Sequence, residues 1–176
     1  MILNRRRRKF TPMAFTLSAL AASIACGPAS SEKLHDQIIT AKAAKIQVYI
    51  GKAFKRIDDA EKPAYKNLLI ARLHVCALVN KLLMENNAEP ARKRAAYEIR
   101  YGTFTQLSST LSEDYSKDRQ DGFATEARTF IRKKLSRSDS ARLQIIFNSC
   151  LDIRTGKITH ALSNMEKQKT LTAAGE

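Results

Sequence analysis

LLIARLHVCALVNKLLM, residues 68–84, holds 13 apolar residues in 17 positions, with no glycine and no proline. A strand core seldom exceeds eight residues, so an uninterrupted run of this length reads as a helix. Arg72, His74, Asn80 and Lys81 break the run at intervals. Charged and amide side chains are costly in hydrocarbon, which makes a membrane span a poor reading. The segment instead predicts a central helix covered on most sides by other helices. Glu61-Lys62-Pro63 supplies its start, since proline is tolerated in the first turn, and Asn86-Asn87 its end.

The flanks supply helices to cover it. On the N-terminal side Ile39, Ala43, Ile46, Ile50, Ala53 and Ile57 recur at alternating spacings of four and three, while Lys42, Lys45, Lys52 and Lys55 fall mostly on the other side. On the C-terminal side Pro90 opens a third helix. It has one apolar row at Ala95, Ile99 and Gly102 and a second at Tyr97, Tyr101, Phe104, Leu107 and Leu111. Residues 112–122 read as a polar loop. A fourth helix turns Phe123, Ala127, Phe130 or Ile131, and Leu135 inward. Ser138-Asp139-Ser140 offers an N-cap cluster for a fifth, running from 141 to about 153, with Gly156 as its stop. Residues 158–167 predict one more short helix. With 6 Gly, 4 Pro, no Trp and 44% hydrophobic residues, the composition favours helices over a many-turned sheet. The expected fold is all-α, a single small bundle of about five helices over residues 32–169, with 170–176 a frayed tail.

The N-terminus has a different character. Arg5-Arg6-Arg7-Arg8-Lys9 is a positive run, and Met13–Ala25 is an uncharged stretch of 13 residues in which only Thr16, Ser18 and Ser23 are not apolar. That is short of the roughly 20 residues needed to span a bilayer. No acidic residue precedes Glu32. These are the parts of an export signal, assigned to residues 1–25, with small residues Ser23 and Ala25 at the positions a signal peptidase reads. Ser23-Ile24-Ala25-Cys26 followed by Gly27 resembles a bacterial lipobox; Ile24, Ala25 and Gly27 fit the pattern, and Ser23 stands where Leu is usual. The resemblance implies thiol lipidation of Cys26, a tether at 26–31, and residence in the periplasm or at the outer membrane. Arg7-Arg8-Lys9-Phe10 also resembles the core of a twin-arginine signal, though the surrounding residues fit a generic basic segment better. The rival for the whole segment is a mitochondrial presequence, likewise Arg-rich and acid-poor.

Cys26, Cys76 and Cys150 are the three cysteines. An odd count in an exported chain leaves one thiol to explain, and lipidation of Cys26 would explain it. Cys76 shares a helical face with Leu69, Leu73 and Leu83, and Cys150 shares one with Leu143, Ile146 and Phe147. In an oxidising compartment two such cysteines form a disulfide if their Cα atoms lie within about 7 Å; the alternative is two free core thiols.

The net charge is +14; without Arg5–Lys9 the chain keeps 26 basic residues against 17 acidic, a net of +9. Such a balance implies an anionic neighbour: lipid headgroups, acidic glycan, an acidic protein or nucleic acid. The densest basic groups are Arg92-Lys93-Arg94 at the start of the third helix and Arg128, Arg132, Lys133 and Arg137 on and after the fourth. They are the candidate anion-binding residues, weighed against an ordinary solvated face. Aromatic residues are not interleaved with them in the manner of single-strand binders. His35, His74 and His160 have no metal-ligand spacing. No nucleophile motif occurs, and Glu113, Asp114, Asp118 and Asp121 are typical loop acids. No catalytic residue, metal or cofactor is assigned. The expectation is a non-enzymatic, lipid-anchored envelope protein that binds a partner protein or an anionic lipid or glycan surface. Nucleic-acid binding through a retained basic arm is the second reading. A cell-wall hydrolase using Glu113 or Glu126 is the third.

Overall fold

The computed structural model describes residues 28–87, 89–136 and 140–163, with side chains placed for 32–87, 89–133 and 146–163. Over these residues the protein is all-α. Five helices follow one another, α1 (Pro28–Phe54), α2 (Lys62–Glu85), α3 (Ala91–Leu111), α4 (Lys117–Ser136) and α5 (Ser140–Thr155). A short α6 spans residues 158–163.

The apolar run at 68–84 becomes α2, on which α3, α4 and α5 all pack. Its length and composition would suit a membrane span, but half of the apolar window is buried inside the bundle. Leu69, Ile70, Leu73 and Cys76 are fully buried. The polar residues within the run have specific places. Asn80 donates its amide to the Cys76 carbonyl at 2.8 Å, which offsets the cost of burying it. Arg72 is buried beside the Phe130 ring, 5.9 Å from its centroid, and burial pushes its guanidinium down to about 10.

The two apolar rows of α3 serve two neighbours. Phe104 and Leu107 are buried in the main core, while Gly102 sits where α1 crosses, its missing Cβ position 2.5 Å from Ile39 Cδ1. Any larger residue must displace that side chain. Ala95 is exposed rather than inward, and the adjacent Ala96 is the residue that faces the groove beside α1. α1 itself buries Ala43, Ile46, Ile50 and Ala53, as its spacing predicts. It is already helical at Pro28, so residues 28–31 of the expected tether belong to the helix.

The expected loop at 112–122 is shorter, because α4 starts at Lys117. The Arg119 amide donates to Ser116 Oγ at 3.4 Å, and the Gln120 side-chain amide reaches the carbonyls of Ser112 and Tyr115 at 3.0 and 2.9 Å. Asp121 meets Lys117 at i, i+4, 2.7 Å apart. Charged residues that read as loop therefore form a solvated, capped first turn. Along α4, Phe123, Ala127 and Ile131 are buried and Phe130 is only partly so. Leu135, Arg137 and the cap cluster at 138–139 lie outside the residues with described side chains.

α5 turns Ile146, Cys150 and Ile153 inward; Phe147, expected on that face, is 39% exposed, since one step along a helix rotates it by about 100°. Gly156 ends α5 with φ +84°. The Lys157 amide donates to the Asp152 carbonyl at 2.8 Å and the Gly156 amide to Ile153 at 3.2 Å, the two bonds of a Schellman motif. Buried Ile158, Ala161 and Leu162 then hold α6 in the core.

Among the described residues the backbone of α5 runs less closely along α2 than those of α3 and α4. A covalent bond compensates. Cys76 and Cys150 form a disulfide with their Cα atoms 5.7 Å apart, closing a sequence separation of 74 residues.

Candidate functional site

Basic side chains converge where α1, α3 and α5 meet without closing fully. Lys42 and Lys45 come from α1, Arg100 from α3 and Arg154 from α5, and they line a groove of about 260 Å³ whose wall includes Ile46, Ile99 and Phe104. Arg100, Phe104 and Arg154 also border a second hollow of about 340 Å³, walled by Asn80, Phe147, Asn148, Cys150 and Leu151. The two share a rim and form one cleft. The helix packing explains the gap: α1 and α5 make few contacts with one another, so side chains rather than backbone fill the space between them.

The electrostatics of the cleft are one-sided. Among the described residues, Lys42, Lys45, Arg100 and Arg154 make no ion pair with a carboxylate. Acids close by in sequence are engaged elsewhere. Asp152 binds His160 Nδ1 at 2.7 Å, and Glu98 faces His35 at 4.0 Å. Burial holds Arg100 below the ordinary guanidinium range, repulsion from Arg154 acts in the same direction, and Tyr97 opposes both. Its guanidinium lies 5.4 Å from the Tyr97 ring centroid, a cation–π contact that does not occupy its N–H donors. Two guanidiniums and two ammoniums around one concavity offer the donors and charge that suit an oxyanion.

The basic groups singled out from the sequence lie elsewhere. Arg92, Lys93 and Arg94 open α3; Arg92 is exposed, Lys93 pairs with Glu89 at 3.3 Å, and Arg94 is half-buried. Arg128, Arg132 and Lys133 are exposed on α4, with Arg128 donating to Thr125 Oγ1 at 3.1 Å. α3 and α4 make little contact with each other, so these are two separate basic surfaces on either side of α2. Arg100 and Arg154 were missed from the sequence because neither lies in a dense basic run. Only a density of charge was visible along the chain, and this cleft draws its charge from three helices.

The acidic candidates disperse as well. Asp114 receives Lys66 at 2.7 Å, Asp121 pairs with Lys117, and Glu126 meets Arg119 at 3.6 Å. No group of three or more His, Cys, Asp or Glu able to hold a metal occurs among the described residues. His160 and Asp152 bind α6 to α5 across the Gly156 turn. Ser149 nearby is only 1% exposed and is no accessible nucleophile. Residues 1–25 and Cys26 lie outside the described residues.

None of the family models, curated proteins or solved structures compared with the chain matches it.

Proposed function

We propose that this chain is exported, anchored by lipid at Cys26, and works in the cell envelope as a helical binding protein whose basic surfaces engage an acidic protein or an anionic surface. The observation that carries the reading is the Cys76–Cys150 disulfide in the core. A buried crosslink of this kind persists in oxidising compartments, and it leaves Cys26, directly after the small residues Ser23 and Ala25, as the one thiol unaccounted for. The unpaired cations of the cleft, together with the basic starts of α3 and α4's outer face, favour binding of anions over apolar association.

Intact-mass and N-terminal analysis of protein from its own host, without reductant, tests this. The expected product starts at a diacylated Cys26 and is two hydrogens lighter than the dithiol at Cys76 and Cys150. A chain that retains Met1 and carries three free thiols would refute export and make nucleic acid the first partner to examine, through the salt dependence of its affinity.

A further inference from the structure

We infer that the cleft between α1, α3 and α5 is a receptor for the phosphate of a membrane lipid headgroup; this rests on the reading of an anchored, anion-binding domain. Three observations converge on it. The first is the direction of the donors. Lys42 and Lys45 on α1, Arg100 on α3 and Arg154 on α5 approach one groove from three helices. A carboxylate offers two oxygens in one plane and is satisfied by a single guanidinium fork. A phosphate offers acceptors in several directions and, as a monoester, carries close to two charges. It therefore suits a set of cations that surrounds it.

The second observation is the wall. Ile46, Ile99 and Phe104 line the basic groove, and its continuation exposes Phe147 at 39% and Leu151 at 46%. Cations bordered by the accessible Phe147 and Leu151 match an ester whose phosphate continues into hydrocarbon. The third is reach. α1 begins at Pro28, two residues after the proposed lipid site at Cys26. At 1.5 Å rise per residue Lys42 stands roughly 21 Å along the helix from that start. An anchor this close in sequence keeps the domain at the bilayer surface, where headgroups are the most concentrated phosphates.

Calorimetric titration of the mature chain with dihexanoyl phosphatidic acid, kept below its micelle concentration so that the ligand is presented apart from any bilayer, tests the inference. Inorganic phosphate and dihexanoyl phosphatidylcholine serve as comparison ligands. The lipid phosphate is expected to bind at least about tenfold more tightly than either. Arg100→Gln/Arg154→Gln is expected to weaken it by about tenfold or more, whereas Lys55→Gln/Arg56→Gln, with the same change of net charge on exposed positions outside the cleft, leaves it within about twofold. Lys42→Gln/Lys45→Gln, on the exposed face of α1, provides a second cleft variant if the arginine pair unfolds. Equal loss in the cleft and control variants would overturn the site in favour of general charge attraction. Inorganic phosphate binding as tightly as the lipid would overturn the headgroup assignment. No binding by any ligand, from protein whose Cys26 is acylated by mass, would overturn the cleft receptor while leaving the envelope reading intact.

Discussion

Removing the crosslink gives the most quantitative test of how this bundle holds together. Cys76 is fully buried and Cys150 is 6% exposed, and their bond spans 74 residues that include all of α3 and α4. By the chain-entropy argument, closing a loop of that length removes about 15 cal/mol/K from the unfolded state, or about 4.4 kcal/mol near room temperature. The buried Ile146 and Ile153 of α5 remain in the core when the bond is absent, so the chain-entropy figure is the quantity the bond itself contributes. Unfolding entropy of about 2.1 cal/mol/K per residue over about 130 described residues gives about 0.27 kcal/mol/K, so the loss corresponds to a fall in Tm of about 15 °C.

Far-UV circular dichroism melts of the native protein with and without reductant, and of Cys76→Ala/Cys150→Ala, measure this directly. Reduced native protein and the double variant should melt within a few degrees of each other, the variant slightly lower for its lost sulfur contacts. α5 and α6 should also become the first segments to exchange amide hydrogens, since the bond is their covalent tie to α2. A fall in Tm below about 4 °C on full reduction would refute the reasoning: the noncovalent contacts of α5 would then suffice, and the bond would be incidental to the fold. Reactive free thiols at both positions in unreduced protein would refute it earlier.

Three further outcomes follow from particular contacts. At Gly102 a new Cβ meets the flexible end of Ile39, so Gly102→Ala should change stability by less than about 1 kcal/mol, helix propensity offsetting the contact; Gly102→Leu should cost about 1–3 kcal/mol in denaturant melts by wedging α1 from α3. Gly156→Ala combines a left-handed backbone with a Cβ 2.6 Å from the Tyr49 ring. It should cost about 2 kcal/mol or more, and Tyr49 line broadening in NMR spectra would report the displacement. His74 is held below its ordinary pKa of 6.5 by burial first and by Arg128 second. The unfolded state therefore binds this proton more readily, and the stability contributed is present above about pH 6.5 and lost as pH falls through the folded value. His74→Gln should flatten the decline in denaturation midpoint between about pH 7 and 5, and Arg128→Gln should raise the His74 pKa read by NMR. An unchanged pKa would show that Arg128 does not bear on the imidazole.

Much of the architecture was legible because helix formation is local. The 17-residue apolar run at 68–84 required a long buried helix, and α2 is that helix. The Ile39–Ala53 spacing and the Phe123, Ala127 stripe named their buried faces, and of the two candidates that continued the stripe the structure buries Ile131 rather than Phe130. Gly156 was identifiable as a stop because the residue after a helix readily takes positive φ only when it lacks a Cβ. Boundaries were less legible. Lys117–Asp121 read as loop because polarity alone does not separate a solvated turn from a loop, and only Gln120 reaching back to the Ser112 and Tyr115 carbonyls resolves it.

By itself, the sequence determined the all-helical class, the identity of the central helix and which stripe of most helices turns inward, since 3.6-residue periodicity and the scarcity of glycine and proline act within a few residues of one another. It also determined that the chain carries an excess of positive charge. The tertiary structure alone decided that Cys76 and Cys150 lie 5.7 Å apart rather than merely on two apolar faces. It alone gathered Lys42, Lys45, Arg100 and Arg154 into one cleft, passing over the denser basic runs at 92–94 and 128–133. The reason is physical: charge density along a chain is a one-dimensional quantity, whereas a binding site depends on which helices approach and which gaps between them stay open.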